Sequence, residues 1–237
     1  SLLIIFKYSN KFKMNDLTLV IPAKYESESL PIFLNELSDT KCKKLIVLEE
    51  SDKNTINSIK HFQDIEILYQ SEKGYGAALI EGVSNCSTEY FCIINADGSM
   101  NPNYLVEMIK VTKNENLDFL FASRYGNALA GSDDDNIITS IGNYVFTKIG
   151  NIFFSPEITD ILYTYVMGKT DSFNNLELKS NNFTICVELP IKAKRDKYLL
   201  GTIPSYERSR FGGKKKVNAF KDGFLILLKL ISMFFKR

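Results

Sequence analysis

A turn at the end of an apolar run carries the side chains best suited to bind a metal ion. Asn95 and Asp97 follow the apolar residues 90–94, and Gly98 permits a tight turn away from them. A divalent cation that bridges two phosphates takes a few hard oxygen ligands and keeps its other positions for water and substrate. One carboxylate and one amide carbonyl would supply those ligands. The same residues would also form an Asx turn that only caps the loop, and this segment alone favours neither interpretation.

Glycines stand before a candidate helix, next to a lysine. Lys73, Gly74 and Gly76 precede the helix-like stretch that starts near residue 75. Glycines in this place let backbone N–H groups approach a ligand closely, and the N-terminus of a helix favours anions. A tight connection between a strand and a helix would need the same glycines, so the pattern is weak evidence for a phosphate site.

Two consecutive acids, Glu49 and Glu50, follow another apolar run. Carboxylates in this place would accept hydrogen bonds from a nucleotide base or a ribose. Solvated acids in a loop would give the same pattern, because loops are polar in any case. The pair therefore indicates a nucleotide site only together with its surroundings.

A cluster of cations lies late in the chain, around a pair of glycines. Diphosphate leaving groups need such neutralisation, and a mobile cationic loop would close over them. A solvated basic loop, or one that only touches anionic lipid, is the alternative. The cations are Arg208, Arg210, Lys214, Lys215 and Lys216, around Gly212 and Gly213.

Short apolar runs alternate with helix-like stretches through the first half of the chain. This alternation predicts an α/β fold with a largely parallel sheet and helices on both of its faces. Ligands of such sheets bind beyond the carboxyl ends of the strands, where the polar residues described above fall. The predicted strands are 17–22, 44–48, 65–69, 90–95 and 117–123, and the predicted helices are 29–38, 55–62, 75–85 and 103–112.

The second half of the chain is organised differently. Residues 126–136 are typical of a mobile loop, and a helix is predicted at about 137–154. Residues 220–237 are rich in Phe, Leu and Ile with a few cations. This segment is too short and too interrupted to span a bilayer, so it would lie in the membrane interface or pack on the domain as an ordinary helix.

Composition limits the classes of function. The chain has 237 residues, 45% of them hydrophobic, with a net charge of +1, so no global field would attract nucleic acid. The cysteines have no zinc-site or disulfide spacing, which favours reduced thiols in a cytosolic protein. Residues 1–13 precede Met14 and are interpreted as an N-terminal extension without a cleavage site for a signal peptide.

Together and in this order, these segments resemble the family 2 glycosyltransferases with a GT-A (Rossmann-like) fold. Within that family they look most like dolichyl-phosphate mannosyltransferase and the bacterial polyprenyl-phosphate glycosyltransferases. The likeness covers about residues 17–231. The matching positions are Pro22, Ala23, Tyr25 and Glu26 for the loop that cradles the nucleotide, Glu49 and Glu50 for base and ribose, Lys73, Gly74 and Gly76 for the helix start, Asn95, Ala96 and Asp97 for the Asp-x-Asp metal motif, and Arg210 and Lys216 for the loop that closes on the diphosphate.

The resemblance implies an enzyme that transfers a hexosyl group, with inversion, from a UDP- or GDP-sugar. Asp97, with Asn95, would hold Mg²⁺ or Mn²⁺ on the diphosphate. Arg124 would position an acceptor phosphate, and Asp160 would take the proton from a hydroxyl acceptor. The expected acceptor is a polyprenyl phosphate or another lipid or polysaccharide intermediate.

Departures from the family pattern leave an alternative open. Asn95 replaces an Asp of the metal motif, Glu49 and Glu50 replace two Asp residues, and Asn136 stands where a basic residue is expected. These changes are also consistent with a catalytically degenerate nucleotide-sugar-binding protein or a partner subunit.

The predicted organisation has three parts. Residues 1–13 form the extension, 14–219 the glycosyltransferase domain, and 220–237 an amphipathic segment at the membrane surface. The expected location is cytoplasmic, with peripheral attachment to the anionic inner face of the membrane.

Overall fold

A seven-stranded sheet with the order β3-β2-β1-β4-β7-β5-β8 forms the centre of the computed structural model. The structure describes residues 14–135, 137–213 and 216–235. The strands are β1 (Leu17–Pro22), β2 (Lys43–Leu48), β3 (Glu66–Tyr69), β4 (Tyr90–Ile93), β5 (Phe119–Ser123), β6 (Gly131–Ser132), β7 (Val166–Lys169), β8 (Leu200–Pro204) and β9 (Tyr206–Glu207). The helices are α1 (Ser29–Glu36), α2 (Lys53–Ile59), α3 (Tyr75–Ser84), α4 (Leu105–Asn114), α5 (Ile137–Phe154), α6 (Thr170–Asn175), α7 (Ile185–Arg195) and α8 (Ala219–Phe235).

Two apolar cores cover the two faces of this sheet. Alternate residues of β1 point to opposite sides, so Leu19 and Ile21 belong to the core under α1, α2 and α4. Val20 belongs to the core under α3, α6 and α7. The strands are apolar on both faces because both faces are buried. The predicted sheet with helices on both sides is confirmed.

One strand in the sheet runs against the others. β7 lies between β4 and β5 and pairs with both in the antiparallel sense, whereas the pairs β1–β2, β1–β4, β2–β3 and β5–β8 are parallel. The sequence did not predict β7 or β8. β7 is four residues long, and Gly168 within it lies against the backbone of Asp118 and the ring of Phe119.

The predicted loop at 126–136 contains a short strand instead. Gly131–Ser132 pairs in parallel with Tyr206–Glu207, and the N–H of Gly131 donates to the carbonyl of Ser205 at 3.3 Å. Backbone pairing thus attaches this segment to the chain that follows β8. The predictions about residues 1–13, Asn136, Lys214, Lys215, Lys236 and Arg237 fall outside the described residues.

The helices α5 and α8 pack against each other and form an outer layer over α7. Ile226, Leu230 and Met233 of α8 are buried in the core on that side. Phe220 and Phe235 of α8 are about four-fifths exposed. The predicted C-terminal helix therefore packs on the domain with one face and leaves another face open. In the described part of the chain, no helix combines the length and the apolar character that crossing a membrane requires.

Candidate functional site

A cavity of about 670 Å³ opens at the carboxyl edge of the sheet. Residues that directly follow β1, β2, β3, β4 and β5 line one half of it, as expected for ligand sites of such sheets. Side chains of α5 and α8 line the other half, which is mostly apolar. The first group includes Ala23, Glu26, Glu49, Gln70, Asn95, Asp97 and Arg124, and the second Ile138, Phe146, Phe220, Phe224 and Leu227.

Asp97 divides its two carboxylate oxygens between the turn and the cavity. Oδ1 accepts a hydrogen bond from the N–H of Ser99 at 3.0 Å, which is an Asx turn. Oδ2 lies 3.5 Å from Nη1 of Arg210. Gly98 takes a positive φ of 78°, which only glycine adopts without strain. The turn and the ligand-binding interpretations therefore both hold, because each uses a different oxygen.

The carbonyl oxygen of Asn95 is hydrogen-bonded within the protein. Oδ1 accepts from the hydroxyl of Tyr75 at 3.0 Å, and that hydroxyl also lies 2.7 Å from Oγ1 of Thr164. Burial raises the pKa of Tyr75, so its hydroxyl stays protonated and donates. One lone pair of this oxygen is therefore used within the protein, and the metal-ligand role of Asn95 stays a prediction.

The metal motif therefore contributes one carboxylate, that of Asp97. No group of three or more His, Cys, Asp or Glu side chains suited to a metal ion occurs among the described residues. Such a donor set fits an ion that keeps most of its coordination for phosphates and water, as Mg²⁺ does. An ion here would be held by Asp97 together with the phosphate oxygens of a bound donor.

Residues 207–213, the strap, lie across the turn that contains Asp97. The N–H of Arg208 donates to the carbonyl of Ser99 at 2.9 Å, and the N–H of Phe211 donates to the carbonyl of Asp97 at 2.8 Å. Arg208 also forms two hydrogen bonds with Glu36, at 2.7 and 2.9 Å. Arg208 thus attaches the strap to Glu36, whereas the sequence placed it among the cations that would neutralise a diphosphate.

The two cations predicted to close on the diphosphate are paired with protein carboxylates. Arg210 contacts Asp134 through Nε at 3.1 Å and Nη2 at 2.7 Å. These hydrogen bonds are the main reason that the pKa of Arg210 is raised. Lys216 forms an ion pair with Glu26, which is buried after β1. Both cations line the cavity, and these carboxylates partly neutralise their charge there.

Arg124 is the centre of a buried cluster of charges. Its guanidinium contacts Asp160 at 2.7 Å, Glu207 at 3.0 Å and Asp135 at 3.3 Å. Burial alone would lower the pKa of Arg124, but the carboxylates raise it well above its ordinary value. Burial raises the pKa of Glu207, and Arg124 offsets part of that effect.

Asp160 is not placed to act as the predicted base. It is 1% exposed, and it does not line the cavity. Oδ2 accepts from the backbone N–H and Nε of Arg124, while Oδ1 accepts from Nη2 of Arg124 and Nδ2 of Asn143. Four hydrogen bonds occupy the lone pairs of this carboxylate. Its role in this conformation is to orient Arg124.

The nucleotide-binding residues predicted after β1 and β2 separate into two groups. Pro22, Ala23, Glu26 and Glu49 line the cavity, and Lys24 bonds Glu49 at 2.8 Å, which lowers the pKa of Glu49. Tyr25 is 68% exposed and points elsewhere, with its N–H bonded to Asp52. The side chain of Glu50 is 73% exposed and pairs with Lys53. Tyr25, Glu50 and Lys73 are exposed and do not line the cavity.

The glycines before α3 are explained by a contact within the protein. A Cβ at Gly74 would lie 2.1 Å from the carbonyl oxygen of Asn181, and one at Gly76 would lie 2.0 Å from that of Ser180. The N–H of Ala77 donates to Asn181 at 3.1 Å. The close connection between elements accounts for both glycines. Gly74 and Ala96 line the cavity and Gly76 does not.

A cavity at the carboxyl edge of a mostly parallel sheet is the ligand site of open α/β folds, the class to which the GT-A glycosyltransferases belong. The profile of Glycosyl transferase family 2 matches residues 18–177. The chain belongs to this family of glycosyltransferases, and the resemblance stated from the sequence is confirmed.

Two curated relatives cover most of the chain. Glycosyltransferase AglJ of Haloferax volcanii is 19% identical over 214 residues, which cover 90% of this chain and 70% of the relative. UDP-N-acetylglucosamine–dolichyl-phosphate N-acetylglucosaminyltransferase of Methanococcus voltae is 24% identical over 221 residues, which cover 78% of this chain and 83% of the relative.

Solved structures show the same fold at low identity. Glucosyl-3-phosphoglycerate synthase of Mycobacterium tuberculosis, in complex with Mn²⁺, UDP and phosphoglyceric acid, gives a TM-score of 0.68 at 11% identity, covering 92% of this chain and 78% of that one. Mannosyl-3-phosphoglycerate synthase of Rubrobacter xylanophilus gives 0.63 at 11% identity, covering 92% and 72%. The predicted GT-A fold is confirmed, and the C-terminal helix is present.

Proposed function

We propose that this glycosyltransferase moves a hexosyl group from a UDP- or GDP-sugar, with inversion at the anomeric carbon. The observation that carries the proposal is the arrangement around Asp97, whose free carboxylate oxygen lies in the cavity beside Arg210. Arg210 and Lys216 also line the cavity. Crystallised neighbours with Mn²⁺ or Mg²⁺ and UDP support a metal-dependent reaction.

The chemistry is one in-line displacement. An acceptor oxygen forms a bond to the anomeric carbon as the bond from that carbon to the diphosphate oxygen breaks, and the nucleoside diphosphate leaves. A divalent ion would neutralise negative charge on the leaving group. Arg210 and Lys216 would add two positive charges there, once the diphosphate has displaced Asp134 and Glu26 from them.

The geometry favours an acceptor that is already anionic. Asp160 has no free lone pair with which to take a proton from a hydroxyl group. A phosphate acceptor needs no base. Arg124 lines the cavity, and its 3.3 Å contact with Asp135 is the longest of its ion pairs, so the phosphate would replace Asp135 there.

The apolar half of the cavity supports a lipid attached to that phosphate. It lies between α5 and α8 and joins the polar half without a break in the lining. A polyprenyl phosphate or another lipid-linked intermediate has a charged head and an apolar chain that match these two halves. The dolichyl-phosphate named for the relative from Methanococcus voltae supports the same acceptor class.

The membrane surface is the proposed place of action, at the cytoplasmic face. The open faces of α5 and α8 expose large apolar side chains next to the apolar half of the cavity. Adjacent exposed apolar side chains on this scale are typical of a membrane or protein interface. They include Ile137, Ile141, Tyr144, Ile152 and Phe153 of α5, and Phe220, Phe224, Ile231, Phe234 and Phe235 of α8.

Turnover measurements with a panel of donors test the proposal. The full chain is incubated with UDP- or GDP-sugars, Mn²⁺ and a polyprenyl phosphate, and the nucleoside diphosphate released is quantified. We expect that EDTA and Asp97→Ala each lower turnover by at least about a hundredfold, a loss typical of removing one electrostatic contact to the transition state. Unchanged turnover with EDTA and with Asp97→Ala contradicts the metal role.

A degenerate binding protein is the second candidate, because Asn95 brings no charge and the cations Arg124, Arg210 and Lys216 are paired with carboxylates. Calorimetry separates the two functions. Binding of a nucleotide-sugar without turnover across hydroxyl and phosphate acceptors favours the second candidate.

A further inference from the structure

Tyr75 and Thr164 fix the side chain of Asn95 in one orientation. The hydroxyl of Thr164 and the hydroxyl of Tyr75 are 2.7 Å apart, and the hydroxyl of Tyr75 is 3.0 Å from Oδ1 of Asn95. A tyrosine hydroxyl has one hydrogen to donate, and it goes to Asn95, so Thr164 donates to Tyr75. The resulting chain of donors runs from Thr164 through Tyr75 to Asn95.

This series of hydrogen bonds leaves the amide nitrogen of Asn95 available to a ligand. The oxygen of an asparagine amide accepts and its nitrogen donates, and the bond from Tyr75 turns the oxygen of Asn95 toward Tyr75 and the nitrogen away from it. Asn95 lines the cavity, and within the described ranges of the chain no acceptor forms a hydrogen bond with its Nδ2. The neighbouring N–H of the Asn95 backbone is bonded to Sδ of Met100 at 3.3 Å, which holds the residue in place.

We propose that Asn95 binds the donor directly, by donating an N–H to an oxygen of the nucleoside diphosphate, and that Tyr75 and Thr164 are positioning residues for it. This proposal rests on the proposed function, because it names the donor as the ligand. It separates the roles of the two motif residues. Asp97 offers an oxygen to a metal ion, whereas Asn95 offers a hydrogen to the nucleotide.

The orientation has a consequence for substitution by aspartate. In Asn95→Asp, Tyr75 would still donate to one carboxylate oxygen, and the other oxygen would take the place of the N–H. A negative charge would then face the diphosphate, so binding would weaken further than with the neutral Asn95→Ala. A metal-ligand role for Asn95 predicts the opposite order, with Asp binding the metal more tightly than Asn.

Calorimetry with UDP and GDP tests the proposal, with EDTA and with Mn²⁺. We expect Asn95→Ala to weaken nucleotide binding about tenfold, as for a hydrogen bond to a charged group, and Asn95→Asp to weaken it more. The affinity for Mn²⁺ at saturating UDP stays within about twofold in Asn95→Ala. A loss of Mn²⁺ affinity in Asn95→Ala, or tighter binding by Asn95→Asp, overturns the proposal.

A double-mutant cycle separates positioning from general stability. Tyr75→Phe keeps the ring against Phe183 and removes only the hydroxyl. We expect it to weaken nucleotide binding about three- to tenfold in the wild-type background and to add nothing to Asn95→Ala. A loss of the same size in both backgrounds contradicts the role of Tyr75.

Tyr165→Phe is the matched control, because it removes another buried hydroxyl, which donates to the carbonyl of Asn101 at 3.0 Å. It should lower the melting temperature without a change in nucleotide affinity. Failure of the wild-type protein to bind either nucleotide would overturn the proposed function and this proposal together. Wild-type binding that Asn95→Ala leaves unchanged would overturn this proposal alone.

Discussion

Asp134 is expected to compete with the donor diphosphate for the guanidinium of Arg210. Arg210 bonds both carboxylate oxygens of Asp134, at 3.1 and 2.7 Å, and it is the one described cation within 4 Å of the Asp97 carboxylate. A diphosphate that binds at Asp97 would meet Nη1 of the same guanidinium, whose positive charge Asp134 already partly neutralises from Nε and Nη2. The substitution Asp134→Asn removes the competing charge and keeps one neutral acceptor oxygen for Nε of Arg210.

The size of the effect follows from the geometry. Hydrogen bonds to charged groups contribute about 1.5–3 kcal/mol, and neutral ones contribute about half as much. The side chains of Arg210 and Asp134 are 18% and 17% exposed, so solvent screens their attraction only in part. The interaction of residue 134 with Arg210 is therefore weaker by about 1–2 kcal/mol in Asp134→Asn than in the wild type. A gain of that size tightens the binding of UDP or GDP about five- to thirtyfold.

Calorimetric titration of Asp134→Asn with UDP and GDP in EDTA measures this gain. Asp133→Asn is the matched control, because it makes the same change in net charge one residue away, where Asp133 bonds Tyr206 and not Arg210. The control should change the affinity less than twofold, and the difference between the variants should shrink at high salt. Unchanged or weaker binding by Asp134→Asn would refute the competition, since Asp134 would then hold Arg210 ready for the diphosphate.

Three further outcomes are expected. Gly76→Ala should lower the free energy of unfolding, measured in urea, by about 3 kcal/mol, because the new Cβ would meet the carbonyl of Ser180. Gly142→Ala has open space around its Cβ and should not lower it, so equal effects of the two substitutions would contradict the contact. Burial raises the pKa of Glu207, so the stability that this carboxyl contributes is present below about pH 4.5 and is lost as the pH rises through the raised pKa. In urea unfolding from about pH 4 to about pH 7, Glu207→Gln should lack this loss of stability, and parallel pH profiles of the two proteins would contradict the argument. The double variant Ile152→Glu, Phe235→Glu should weaken co-sedimentation with anionic vesicles at least about tenfold, and Ile32→Glu on helix α1 should not. Equal sedimentation by the wild type and both variants would contradict membrane binding through α5 and α8.

The first half of the fold could be predicted because its signals are local. Most predicted strands are runs that are buried on both faces, so an apolar stretch such as residues 44–48 identifies a strand directly; the edge strand β3 is the exception. The strand β7 was not predicted because its position depends on long-range pairing. Met167 pairs with Cys92 on one side and with Leu120 on the other, and nothing in a four-residue segment indicates those partners.

The site shows the same division between local and distant signals. Asp97 could be predicted from a strand end followed by Gly98. Tyr75 and Thr164 could not, because 89 residues separate them in the chain. The resemblance suggested Asp160 as a base, but its role depends on four hydrogen bonds that only the folded structure displays.

The metal motif illustrates why two interpretations of one turn need not exclude each other. Asp97 uses one oxygen to shape the turn through Ser99, and Asn95 uses its oxygen to accept from Tyr75. Each residue therefore has one group left for the cavity, an anionic oxygen on Asp97 and an N–H group on Asn95. A nucleoside diphosphate with a bound cation presents both positive and negative charge. A site with one acceptor and one donor complements that ligand, whereas a second carboxylate would add a ligand for the cation and offer the diphosphate no hydrogen. The replacement of Asp by Asn95 is thus compatible with donor binding, and it makes the ion depend on the diphosphate for most of its ligands.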